Sequence, residues 1–138
     1  ENNAWLLNIR GGDSNYSPIP NSHSLIDNKG RIIFFCDLNK VSPDIKIKLK
    51  KIRFVSINSI DDLLLKIKRK KFIIDKNTCS VLFEKIILRN NKILNFEDPI
   101  YFEKAIKSYE KALEIYPLMR SPEIMIKEIE ALIKQELI

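Results

Sequence analysis

Arg31-Ile32-Ile33-Phe34-Phe35-Cys36 is the stretch on which the fold turns, because five apolar residues follow one another without a polar break. Side chains alternate between the two faces of a strand, so a segment apolar on both faces belongs inside a covered sheet. The preceding Asp27-Asn28-Lys29-Gly30 has hairpin-turn composition, which makes Ser24-Leu25-Ile26-Asp27 the strand on its other side.

Downstream, Ser42-Pro43-Asp44 is a helix start, with Ser42 as cap and Pro43 in the first turn of a helix reaching about residue 51. Residues 53–57 read as a strand. Ser59 caps a second helix striped by Ile60, Leu63, Leu64 and Ile67, and residues 71–75 return as a strand. Thr78 starts a third helix, in which Cys79, Leu82, Phe83, Ile86 and Ile87 share a core-facing stripe, and residues 93–96 form a last short strand. This alternation predicts an α/β architecture, a mixed sheet flanked by helices. From Asp98-Pro99 the rhythm changes to a C-terminal helical pair. Phe102, Ala105, Ile106, Tyr109, Ala112, Leu113 and Tyr116 stripe one helix, broken at Pro117, and Ser121-Pro122-Glu123 starts another bearing Ile126, Ile129, Ile133 and Leu137.

Upstream lie the only Trp and two of the three Gly, in residues 4–20. Asn2 or Asn3 can cap a short helix carrying Trp5, Leu6 and Ile9, and Gly11 can supply the left-handed residue that ends it. The loop that follows reads as shaped: Pro18 and Pro20 fix φ, Asp13 and Asn15 can bond their own backbone, and Trp5 and Tyr16 can anchor it.

With 138 residues, 45% of them hydrophobic, the chain has material for one core. No apolar run approaches the roughly 20 residues needed to span a bilayer, and no basic-then-apolar segment opens the chain. The expectation is a cytoplasmic globular protein with no membrane partner. Cys36 and Cys79 carry no metal-binding spacing and read as free thiols. The net charge of +6 accompanies 24 Ile, 18 Lys and 12 Asn, a bias expected of AT-rich codons. The dense run, residues 66–71, follows a helix whose negative end suits cations, so it reads as a solvated face and nucleic acid is not an expected partner.

Candidate chemistry is sparse. His23 lies between Ser22 and Ser24, but neighbouring strand residues point to opposite faces and do not converge as a triad must. Asp61-Asp62 and Glu97-Asp98 are paired carboxylates at helix starts, where they stabilise the positive end of the helix. Arg10-Gly11-Gly12-Asp13-Ser14 is Gly-rich but lacks the Lys-Ser/Thr of a phosphate loop. One histidine and no cluster of Asp, Glu or Cys leave no ordinary metal site, and no catalytic residue is assigned.

Ala4-Trp5-Leu6-Leu7-Asn8-Ile9-Arg10-Gly11-Gly12-Asp13, followed by Tyr16-Ser17-Pro18, resembles a signature of the Xaa-Pro aminopeptidases. Phe34-Phe35-Cys36-Asp37, Asp98-Pro99-Ile100 and Lys104-Ala105-Ile106-Lys107-Ser108 resemble the creatinase-like domain of that family and its exit. The resemblance implies a creatinase N-terminal-like fold over residues 1–108, with residues 109–138 a helical tail. It implies an enzyme that removes the residue before proline using two divalent metals, usually manganese, held in a separate pita-bread domain. That catalytic domain, proline-containing peptides and a second copy of the chain are the partners it implies; no cofactor belongs to this chain. The implied role here is non-catalytic, inactive alone, and Arg10, Asp13 and Tyr16 are the candidates for the substrate entrance or for subunit contacts. The family's domain has a helix and a strand before this point, so the chain is expected to start inside the domain and to leave a sheet edge open. The alternative from a different class is a stand-alone interaction module that docks through residues 98–138.

Overall fold

A computed structural model describes residues 1–115, 126, 127 and 129–131. In chain order the described elements are α1 (Asn2–Leu6), β1 (His23–Ile26), β2 (Ile32–Cys36), α2 (Pro43–Lys48), β3 (Ile52–Ser56), α3 (Ile60–Lys66), β4 (Lys71–Ile74), α4 (Val81–Leu88), β5 (Lys92–Asn95) and α5 (Pro99–Ile115). The chain divides into two compact units, Glu1–Asn95 and Phe96–Ile138.

In the first unit β2 is the middle strand of a mixed three-stranded sheet, order β1-β2-β3. It pairs antiparallel with β1, Ser24 opposite Phe34, and parallel with β3, Phe34 opposite Phe54. The hairpin between β1 and β2 closes as its composition requires. The Asp27 carboxylate accepts from the backbone N–H groups of Lys29 and Arg31 at 2.9 and 3.0 Å, and Gly30 takes the left-handed φ of +72°. Phe34, Phe35 and Cys36 are all buried, so both faces of β2 are covered. Phe34 meets Phe54 edge to face on one side. Phe35 enters the main core on the other, with Ile60 and Leu64 of α3, Phe72 of β4 and Ile86 and Ile87 of α4.

β4 and β5 form a separate parallel pair, Phe72 opposite Ile93, that shares this core. The α/β class with a mixed sheet and flanking helices is therefore as expected, its strands divided between two sheets. Ser42 caps α2 through its side chain, accepting from the Ile45 N–H, with Pro43 in the first turn.

The third helix starts later than its stripe suggests. The Asp75 carbonyl accepts from the N–H groups of both Thr78 and Cys79, and its carboxylate accepts from Asn77 N–H, so Thr78 is spent in a turn. Ser80 caps α4 instead, through the Leu82 N–H. Ile86 and Ile87 are buried and Phe83 is half-buried, but Leu82 is exposed. Ser59 precedes α3 without a side-chain cap bond. Both cysteines are free thiols, Cys36 buried and Cys79 half-buried, and desolvation pushes both above their ordinary pKa.

In the second unit the Asp98 carboxylate accepts from Ile100 N–H at the start of α5. Phe102, Ala105, Ile106, Tyr109 and Ala112 are half-buried at the expected spacing. The break at Pro117, the start at Ser121 and the positions of Ile133 and Leu137 lie outside the described residues; Ile126 and Ile129 are helical.

The imidazole of His23 packs edge to face on Phe83 of α4, centroids 5.0 Å apart, and the desolvation this brings holds its pKa below the ordinary histidine value. The unfolded chain therefore binds the proton first, and the stabilisation is complete above the ordinary value and is lost as pH falls through the folded one. Melting temperature should fall as pH drops below the ordinary histidine value of about 6.5. His23→Phe should flatten that slope, and a slope unchanged in the variant would exclude His23 as its source.

Candidate functional site

The candidate site is the loop between α1 and β1, built from three kinds of restraint. α1 ends through Asn8, which takes a left-handed φ of +48°, and Ile9 N–H reaches back to Ala4 O at 3.0 Å. Asparagine tolerates this conformation because its short polar side chain can bond locally. Gly11 does not supply the turn expected of it, since its φ is not positive; its reason is steric. A Cβ on Gly11 would lie 2.6 Å from the Pro20 Cα, so only glycine lets the two ends of the loop pass this closely. The ends are then tied by Gly11 N–H to Pro18 O at 2.8 Å, with an antiparallel bridge between Ser14 and Ser17 at the tip.

Side chains fasten this small hairpin to the unit. Asn3, rather than capping α1, donates its amide to Ser22 O at 3.0 Å; Glu1 occupies the cap position. The Asp13 carboxylate accepts from Asn21 N–H at 2.9 Å and pairs with Lys40, which lies beyond β2. The hydrogen bond from Lys40 is the larger cause, and that from Asn21 the second, holding the Asp13 carboxyl below the usual carboxylate range. Both partners of the ion pair are solvent-screened, so it fixes direction more than it adds stability.

Arg10 is exposed and donates to the neighbouring Ile9 carbonyl. Tyr16 stands at the tip, 98% exposed, and therefore anchors nothing. No described contact joins Arg10, Asp13 and Tyr16 to one another: Asp13 is part of the fastening, and Arg10 and Tyr16 are the groups presented. Lys40 was not legible as a site residue, because nothing in the sequence links it to Asp13 across 27 positions. The Ser22-His23-Ser24 set does not converge either. Ser22 Oγ donates to Pro20 O, His23 packs on Phe83, and Ser24 Oγ is buried without a described hydrogen bond.

The two metals implied for the parent enzyme find no fit among the described residues. No three His, Cys, Asp or Glu side chains converge, and the Asp13 carboxylate is engaged by an amide and an ammonium.

A mixed sheet entered by a hairpin, a separate parallel pair, one βαβ-type passage in each and an ordered Gly/Pro loop ahead of them define an α/β domain that presents a shaped loop. The sequence model of the Creatinase/Prolidase N-terminal domain matches residues 1–110, and the chain belongs to that family. Comparison with curated proteins and with solved structures gives no match.

Gly11 and Gly12 give a paired test. Gly11→Ala must displace Pro20 backbone and should destabilise by about 1–3 kcal/mol. Gly12→Ala meets nothing within 4 Å and has no positive φ to strain, so it should be neutral or stabilise by about 0.4–1 kcal/mol. Chemical denaturation of the two variants reads the difference; equal stabilities would refute the close-approach account.

Proposed function

We propose that this chain is a non-catalytic domain, or a fragment, of an Xaa-Pro aminopeptidase, in which its opening loop borders the substrate entrance or a subunit contact. The observation that carries the reading is the combination of a pinned loop and an unspent aromatic. Tyr16 is 98% exposed at the tip of a hairpin held by Gly11, Asp13 and Lys40. A rigid aromatic presented in this way contributes contact area at low entropic cost once a partner covers it. Arg10, exposed near the base of the same hairpin, offers a planar cation to a carboxylate.

In this reading the parent enzyme works in the cytoplasm and holds two divalent metals, usually manganese, in a pita-bread domain that performs the hydrolysis. The same reading takes residues 1–108 as the creatinase-like part and residues 109–138 as a tail outside it. The outer edges of β1, β3, β4 and β5 pair with no described strand, so both sheets leave room for a further strand. A second reading, an interaction module docking through residues 98–138, is supported by the separate compactness of Phe96–Ile138.

The chain alone, supplied with manganese and an Xaa-Pro peptide, should show no turnover above the blank; robust turnover would sink the inactive-domain reading. In an enzyme carrying this domain beside its catalytic one, Tyr16→Ala should raise KM or loosen subunit association by about fivefold or more while kcat is retained. Unchanged KM together with unchanged association would remove the loop from both roles.

A further inference from the structure

The aminopeptidase reading uses the opening loop and leaves unexplained a basic surface on the β4–β5 side of the first unit. The segment linking α3 to β4 is held by Asn91, the buried polar residue among those described, at 9% exposure. Its Oδ1 accepts from Lys70 N–H at 2.9 Å and its Nδ2 donates to Ile67 O at 2.8 Å. Arg69 N–H donates to Asn90 O, and Lys92 N–H to Lys70 O. Two basic segments are thus stapled side by side, and Arg69 is kept at a left-handed φ of +56° that a β-carbon residue adopts at a cost.

This arrangement collects Lys68, Arg69, Lys70, Lys71, Arg89 and Lys92, all exposed. Lys71 lies directly opposite Lys92 in the parallel ladder, a like-charge pair that costs stability. None of the six takes part in an ion pair among the described residues; Asp61, Asp62 and Glu84 sit in the first turns of α3 and α4, and Asp75 follows β4 at the end opposite Lys71. Period-two alternation then places Ile73 and Leu94, opposite each other in register, on the same outer face as the two lysines. They are 68% and 49% exposed, while Phe72 and Ile93 on the reverse face pack in the core.

We infer that the outer face of β4–β5, with its rim of six cations, is a docking surface for an anionic lipid bilayer. Charge complementarity commits the face to an anionic partner, and the aliphatic pair beside the cations fits the boundary between phosphate headgroups and acyl chains. Among the described residues the face has no aromatic platform on which nucleic-acid bases could stack, which separates it from a single-strand surface. Binding of this kind is peripheral: no described helix is long and apolar enough to cross a membrane.

The test is co-sedimentation of the 138-residue chain with unilamellar vesicles. Binding is expected to vesicles of phosphatidylcholine containing about 30 mol% phosphatidylserine, to be absent with phosphatidylcholine alone, and to be lost between about 0.1 and 0.5 M salt. Lys71→Gln with Lys92→Gln should weaken it about thirtyfold. Ile73→Ser with Leu94→Ser should weaken it severalfold without changing its salt dependence, circular dichroism confirming that each variant is folded. The wild-type lipid and salt dependence stands even where a variant fails to fold. No binding to the anionic vesicles, equal binding to neutral ones, or full binding by a folded Ile73/Leu94 variant would overturn the inference. So would a single-stranded RNA probe that binds more tightly than the vesicles and is indifferent to the Ile73/Leu94 change; it would give the cations to nucleic acid.

Discussion

The burial of Phe35 is the interaction on which the first unit depends. Its side chain is 2% exposed and meets residues of α3, α4 and β4, so it is the fully buried member, with Leu25, Ile33 and Val55 packed around it, of the contact that joins the three-stranded sheet to the layer carrying the second one. Burial of a phenylalanine contributes about 1.5–3 kcal/mol. Its larger effect is on register. Because Phe34 and Cys36 fill the opposite face, a slip of one residue along β1 or β3 would exchange two buried sets, and no such slip is isoenergetic. The central strand therefore fixes where β1 begins, and with it where the opening loop must end.

The loop in turn is shaped by excluded volume more than by charge. The Gly11–Pro20 approach is closer than any side-chain-bearing residue permits, and the Gly11–Pro18 backbone bond closes the same ring. The Asp13–Lys40 pair is exposed to solvent screening, so it selects the direction in which an already closed loop leans. Lys40 is available for this because it follows β2 directly, where Asp37 caps a single turn by accepting from Asn39 N–H. The loop is thus positioned from the same strand that anchors the core.

Much of this was legible in the sequence because it depends on local chemistry. The apolar run of β2, the Asp-Asn-Lys-Gly hairpin, the Ser42-Pro43 helix start and the α5 stripe are written within a few residues of one another, and the family follows from motifs of the same kind. What was not legible required contacts between distant segments or a contest between neighbouring signals. Asp75 captured the turn that Thr78 would have capped, delaying α4 to Val81. Asn8 took the left-handed role that Gly11 was free to take, because Gly11 was already committed to Pro20. Tyr16 looked like an anchor by its size and lies outside every apolar cluster. The division of the five described strands into two sheets likewise has no local signature, since period and length are the same in either arrangement.

These contests explain why fold and recognition are separable in this domain. The residues that shape the loop, Gly11, Asp13, Pro18 and Pro20, spend their conformational or polar capacity inward; Tyr16 spends none, being almost wholly in water. Replacing an exposed side chain that touches nothing costs little stability, so the tip can vary while its position stays fixed. The β4–β5 side shows the same division: Asn91, buried and satisfied on both ends of its amide, holds the backbone, and the lysines it positions contribute no contact to the core. In both places a buried or sterically fixed residue sets geometry for exposed groups that the fold itself does not need. Arg69 strained and Lys71 facing Lys92 are costs that no contact within the unit repays, which is the ground for the outward-facing role inferred above.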